Sequence, residues 1–532
     1  MALEVSAKAR IQPGEPNEKG WRDLVYVDGE NHLGEAFPIG AKPLLVMHHL
    51  SDLHICDAQS PLRPEYLDRW ADPDSPVREF VGTIGTYRPH SILSPHVVES
   101  MVQSLNTITT GPLSGAPVDA AVITGDTTDN AQVNEVSWFL TLLDGGVLTP
   151  DSGSADSYEG VMGEDPDRYD VKYWHPHGTP IGRQDDDARA KYGFPIIDGL
   201  LDACRKAINA TGLRFPWYAV HGNHDVLLQG TVTPNQATQI AMTSSQRYEA
   251  LPSNLSLMDA LTLFSQVGPA EYPKDSDAPF ATVTPDPMRR ALERGEYAAR
   301  HLASPGLPPG HGFTDKNVQD RTAYYSRDIG KIRLIVMDTV NEHGGWQGSL
   351  DETQFAWLEN QLKAADRPVV LASHHPLATM FNDYSPPEAG RRVCQEELEP
   401  MLLDYPVVIA WLAGHEHRHH VRWVGSRDQS RGFWQIETAS HADWPQQSRV
   451  IEIVETADGE IVIGLTVIDH VAALAYDNSA DPVALAALSR VLSANVWQRR
   501  AELGSRNPLS FGEGTPEDRN VVLTVKRGSP RD

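Results

Sequence analysis

The sequence predicts an α/β fold. Three observations carry that expectation: short, continuously apolar runs that end in polar loops, amphipathic runs at helical spacing between them, and a length of 532 residues, enough to bury a large core. The apolar runs read as strands covered on both faces, as in a sheet that has helices on either side.

Residues 1 to 40, rich in Gly, Pro and charge, are expected to wrap the surface as an N-terminal extension. The first strand, Pro43-Leu44-Leu45-Val46-Met47-His48, runs into Ser51-Asp52-Leu53-His54. On extended backbone Asp52 and His54 point the same way, which offers a metal a carboxylate and an imidazole from one side. Ser94-Pro95 reads as an N-cap followed by a first-turn proline, and Val97, Val98, Met101, Val102, Leu105 and Ile108 recur at helical spacing. The next strand, residues 118–124, ends in Gly125-Asp126-Thr127-Thr128-Asp129-Asn130.

Residues 150–194 break the pattern, with much Asp, Gly and Tyr and few aliphatics. They read as a loop insertion at the rim of the site, with His175 and His177 at the surface. Ile196, Ile197, Leu200, Leu201, Cys204 and Ile208 predict a short amphipathic helix. A strand over 215–219 then feeds Val220-His221-Gly222-Asn223-His224-Asp225. Gly222 permits a sharp turn that presents an amide, an imidazole and a carboxylate to one cleft. A polar turn with a surface histidine is the other reading of that loop.

Residues 226–322 hold two helical patterns, near 258–267 and 287–303, and no long apolar strand, so they are expected to form a mostly helical lid or cap. Residues 323–326 and 332–338 read as an adjacent strand pair. Ser349-Leu350-Asp351-Glu352 has the form of a capping box opening a helix through Phe355, Leu358 and Leu362. Two more buried strands follow: 368–373, ending in His374-His375-Pro376, and 406–413, ending in Gly414-His415-Glu416-His417. Residues 433–437, 450–454 and 461–467 alternate apolar and polar side chains and are expected as antiparallel strands at one side. The expected catalytic domain spans 41–475. A C-terminal extension, 476–532, carries one strand over 521–525.

Lys and Arg number 45 against 72 Asp and Glu, a formal charge of -27. That field repels nucleic acid and anionic membranes. A phosphate-handling protein of this charge needs local cations, and with few basic clusters bound metal ions are the source. The odd set Cys56, Cys204 and Cys394 reads as reduced thiols rather than a disulfide framework. The N-terminus lacks a basic region followed by an apolar core, and no run approaches the ~20 apolar residues that cross a bilayer. A soluble, cytoplasmic protein without a membrane partner is expected.

Five strands therefore end in metal-type residues: Asp52 and His54, Asp126, Asn223 with His224, His374, and His415 with His417. Sites collect at the carboxyl ends of strands in α/β sheets, so these loops can converge. The motif order D-x-H, GD-x-x-D, GNHD, H-x-P, GH-x-H resembles the calcineurin-like metallophosphoesterase superfamily over the sheet-forming parts of residues 43 to 470. Glu437-Thr438-Ala439-Ser440 with Trp444-Pro445-Gln446-Gln447-Ser448-Arg449 also resembles a little-characterised bacterial branch. The resemblance implies a four-layer α/β/β/α sandwich holding two metal ions. Asp52, His54 and His417 would hold one, Asn223, His374 and His415 the other, with Asp126 bridging them. Mixed carboxylate, imidazole and amide donors suit Mn, Fe or Zn. Such a pair would make hydroxide available from a bridging water near neutral pH for in-line attack on phosphorus.

His224 is placed to give the departing alkoxide its proton, and Asp225 either orients that imidazole or supports the ligands from behind. Asp129 stands where the purple acid phosphatases carry a metal-bound tyrosine, which sets that subfamily aside. His375 is expected to support His374 or face phosphate, and His221 to belong to the turn or contact a ligand from behind. His48, His49, His419 and His420 read as structural, and Cys56 as a buried neighbour. The functional expectation is a metal-dependent hydrolase of a small phosphoester. A scaffold that kept the fold and lost catalysis would lack ligands, and here all seven positions are filled. A nuclease conflicts with the charge and with the lack of basic, aromatic-interleaved stretches.

Overall fold

Leu334 and Val336 belong to one hydrophobic core while Ile335, between them, belongs to another, and Val370 and Ala372 alternate in the same way with Val369 and Leu371. Period-two alternation with both faces apolar is what a sheet covered on both sides demands. The computed structural model of the chain describes residues 9–28, 37–78, 87–253, 255–256, 259, 277–499 and 512–525. It contains two six-stranded mixed sheets that share one large core.

In the first sheet, Lys42–Leu50, Ala120–Ile123 and Trp217–Ala219 run parallel, and Gln447–Glu455, Ile461–Asp469 and Val521–Val525 extend it antiparallel from Lys42–Leu50. In the second, Ile332–Val336, Val369–Ala372, Val408–Ala413 and Gly432–Glu437 run parallel, flanked at the edges by antiparallel Tyr325–Ile329 and His420–Gly425. Helix Ser94–Leu105 packs on Ile461–Asp469 and carries helix Pro482–Ser493 on its far side. Helices Glu352–Lys363 and Gln395–Leu403 bring Leu358, Leu362, Leu398 and Leu402 to the outer core of the second sheet. The order helix, sheet, sheet, helix is the expected four-layer α/β/β/α sandwich. Truncating any of these buried leucines to alanine removes about 2 to 5 kcal/mol.

The three segments that alternate in sequence do not form one half-exposed sheet. Gly432–Glu437 is parallel to Val408–Ala413 in the second sheet, whereas Gln447–Glu455 and Ile461–Asp469 are in the first and buried along almost their whole length. Their polar residues meet protein rather than water. Glu452 accepts from the Leu113 and Ser114 amides, and Arg449 donates to the Glu437 and Asp518 carbonyls.

Local signals were diverted in the same way. Ser94 lies inside its helix and its Oγ accepts from the Cys56 amide at 3.0 Å, tying the helix to the first metal-type loop instead of capping it. At the later helix Asp351 caps, accepting from the Gln354 amide, while Ser349 binds Arg392.

Residues 150–194 are ordered around a second core holding Tyr173, Trp174, Phe194 and Trp497. His175 is fully buried, with Nε2 3.0 Å from the Asp170 carbonyl, and His177 is largely covered, so neither is a surface residue. The helix expected from Ile196 to Ile208 shrinks to Leu200–Ala203; Ile196 is exposed and Ile208–Ala210 pairs as a strand with Gly146–Leu148. Residues 226–322 mix helices Gln236–Thr243, Arg294–Ala303 and Asp315–Asp320 with a hairpin of Gln246–Tyr248 and Phe280–Thr282. Apart from residue 259, the helical pattern near 258–267 lies outside the described residues. Among the described residues no helix is long and apolar enough to cross a membrane.

Candidate metal centre

Parallel strands deliver their carboxyl ends to one side, so the loops after Lys42–Leu50, Ala120–Ile123, Trp217–Ala219, Val369–Ala372 and Val408–Ala413 meet although they come from two sheets. Main-chain hydrogen bonds lace them together. The Asp52 amide donates to the Gly125 carbonyl, the His54 amide to the Asp126 carbonyl, and the Gly414 amide to the His374 carbonyl. The His224 amide donates to Asp126 Oδ1 at 2.8 Å and the His415 amide to Asp52 Oδ1 at 3.1 Å.

The side chains do not converge from extended backbone, as the D-x-H spacing suggested. Asp52, His54, Asp126, His415 and His417 all adopt left-handed conformations, with φ of 50°, 42°, 48°, 70° and 53°. Such residues cost about 1 to 3 kcal/mol each and persist where the surroundings over-determine them. Gly222, by contrast, has an ordinary φ of -110°. Glycine is required there for close approach, because a Cβ would lie 2.2 Å from the Asp126 amide nitrogen.

Six of the seven anticipated donors are in one cluster. His417 Nε2 is 3.3 Å from Asp52 Oδ1 and 3.2 Å from His54 Nε2. His374 Nε2 is 3.1 Å from Asp126 Oδ2 and 3.2 Å from His415 Nδ1, and His54 Nε2 is 3.6 Å from Asp126 Oδ2. Asp52, His54 and His417 each offer an atom within 4.8 Å of the others, as do Asp52, Asp126 and His374, so Asp126 and Asp52 link the sub-groups. Asn223 donates from Nδ2 to the Gly230 carbonyl at 3.0 Å, and its Oδ1 is buried without a partner. An orphaned amide oxygen beside carboxylates and imidazoles facing one another is a donor set that fits metal ions.

Charge tells the same story. Burial would raise the Asp126 carboxyl, yet the His374 and His224 imidazoles hold it well below the usual range. Burial would lower His374 and His417, but Asp126 pushes the first up to about 9, and Asp52 with Asp443 pushes the second up to about 9. The cluster is built to hold positive charge. Burial, followed by His375 and His374, drives His415 well below its ordinary value, and burial lowers His224 against the pull of Asp126.

The surrounding residues sort by what they touch. Asp129 Oδ1 is 3.2 Å from His54 Nδ1, and its other oxygen pairs with Arg63. His375 holds Thr339 Oγ1 through Nδ1 and the Trp346 carbonyl through Nε2, so both its nitrogens are engaged although it stands beside His374 and His415. His221 Nδ1 is 3.3 Å from Asp338, which pairs with Arg294 of the 226–322 insertion. Asp225 does not orient the His224 ring. Its carboxylate accepts from the Thr127, Thr128 and Gly222 amides and clamps two loops together. The ring is set instead by the Asp129 carbonyl, 2.6 Å from His224 Nδ1. His48, His49 and His419 are buried and hydrogen-bonded, and His420 pairs with Glu437. Cys56 is buried, which pushes its thiol up.

Four contributors escaped the motif reading. Asp443 accepts from His417 Nδ1 at 2.6 Å and pairs with Arg88. It follows strand Gly432–Glu437, so extending the strand-end rule by one more strand would have found it. Arg63 and Arg88 carried no local signal. Gly230, at φ +65°, is the fourth: a Cβ there would come within 2.3 Å of both Asn223 Nδ2 and His224 Cδ2.

Residues 195–419 match the family model for calcineurin-like phosphoesterases. No curated protein matches the chain. Solved structures with some likeness include a dimetal phosphatase from Danio rerio, 12% identical over 80% of this chain and 99% of that one, with a TM-score of 0.32. Another is GAP50, the anchor in the inner membrane complex of Plasmodium, 10% identical over 80% and 85% of the two chains, with a TM-score of 0.24. The matched region holds the GNHD, H-x-P and GH-x-H loops, and the D-x-H and GD-x-x-D loops close the same site from outside it.

Proposed function

We propose that the protein hydrolyses small phosphoesters with two metal ions, one on Asp52, His54 and His417, the other on Asn223, His374 and His415, with Asp126 shared. The observation that carries this reading is the convergence of these donors from five strand ends, with the buried Asn223 Oδ1 left unpaired. Donors of these types suit Mn, Fe or Zn. Ions held there would offset charge on phosphoryl oxygens and acidify water.

His224 supplies the proton to the leaving group. The Asp129 carbonyl can only accept, so Nδ1 keeps its proton and the one that moves is on Nε2. Burial lowers the affinity of the ring for that proton and makes it a better donor. Asp225 keeps the GD and GN loops in register while this happens. A charge of -27 favours a small substrate over nucleic acid. The test is metal analysis followed by assay against phosphomonoesters, phosphodiesters and cyclic nucleotides with Mn, Fe or Zn supplied. At least one class should turn over and chelation should abolish it; no turnover with any of them would sink the reading.

A further inference from the structure

We infer that Asp443, held by Arg88, is a positioning residue that makes the Asp52, His54 and His417 position the tighter of the two metal positions. This rests on the dinuclear reading above and adds to it which position fills first and which residue sets that order.

Asp443 lies outside all five motifs, yet its carboxylate is 3% exposed and accepts from His417 Nδ1 at 2.6 Å. Arg88 grips both its oxygens, Nε to Oδ1 at 2.8 Å and Nη2 to Oδ2 at 3.1 Å, which stops the carboxylate rotating. The loop beneath is equally fixed. The Asp443 amide donates to Ser440 Oγ at 2.8 Å, the His441 amide to the Asp52 carbonyl at 3.1 Å, and His90 Nε2 is 2.6 Å from the Ala442 carbonyl. A carboxylate on one ring nitrogen fixes the tautomer, leaves the lone pair on the other nitrogen and raises its basicity.

His54 repeats the arrangement with Asp129 and Arg63. The other position has no such backing: His374 Nδ1 faces the neutral Thr124 carbonyl at 2.9 Å, and Asn223 is itself uncharged. A carboxylate behind each imidazole of one set and a neutral carbonyl behind His374 of the other predict unequal affinity. Were Asp443 only pinning its loop, its loss would lower fold stability without separating the two affinities.

The test is a calorimetric titration of the chelator-stripped full chain with Zn2+. The unaltered protein should bind in two steps, and Asn223→Ala should remove the weaker one, which assigns each step to its position. Asp443→Asn should weaken the tighter step about 10- to 100-fold and the other by less than about threefold. Asp443→Glu should recover part of that loss, and Arg88→Met should give a smaller shift in the same step, a second reading should Asp443→Asn fail to fold. The melting temperature of the metal-free variants checks the fold. Equal weakening of both steps, or an unchanged tighter step, overturns the inference alone; an unaltered protein that takes up no Zn2+ overturns the dinuclear reading with it.

Discussion

The two halves of the proposed centre are built differently. Asp52, His54 and His417 are all in left-handed conformations, and both their imidazoles lean on carboxylates that arginines hold. In the other half only His415 has a positive φ, and His374 leans on a main-chain carbonyl. One half stores backbone strain and depends on charges from distant segments; the other depends mainly on the strands that carry it. Local sequence therefore specifies the second half better than the first.

Breaking what the halves share gives the largest effect. Asp126→Ala should empty both positions and lower kcat/KM by on the order of 10^4-fold or more, read by metal content and rate together. His224→Ala should leave both positions filled while kcat falls about 10^2- to 10^4-fold, most for poor leaving groups. Loss of metal in that variant would make His224 a ligand, as its closeness to His54 and Asp126 permits, and unchanged kinetics would remove the acid role. Asp129→Asn separates the halves. Zinc affinity should drop about 10- to 100-fold at the His54 position only, and stability should fall by about 3 kcal/mol in denaturant titration because Arg63 loses a buried partner. The smallest effect falls on the other half. Gly230→Ala, strained at φ +65° and crowding Asn223, should cost about 1 to 2 kcal/mol and loosen metal at the Asn223 position. An effect confined to the His54 position would contradict the assignment of Asn223.

Much of the architecture was legible because burial writes itself into composition. Strands covered on both faces are continuously apolar, and Val369–Ala372 and Val408–Ala413 fall within the runs that predicted them. Helix caps were less legible, since Ser94 and Ser349 have hydroxyls that serve a neighbouring loop and a distant arginine as readily as a helix end. Alternation at 450–454 and 461–467 misled for a related reason: Glu452 and Arg449 are polar for partners in other segments rather than for water. His175 shows the converse, a histidine in a polar stretch that is buried against its own insertion.

At the site, residue type and position after a strand were enough to nominate Asp52, His54, Asp126, Asn223, His374, His415 and His417, because metal donors must be these chemical groups and strand ends are where an α/β sheet can gather them. Only the tertiary structure decided what stands behind the donors. Asp443, Arg63 and Arg88 reach the centre across separate elements, Asp225 clamps loops instead of orienting His224, and the Asp129 main chain, not a side chain, sets that ring. Hydrogen bonds and ion pairs act over a few ångströms in space irrespective of separation along the chain, so local pattern names the donors and folding alone assigns their supports.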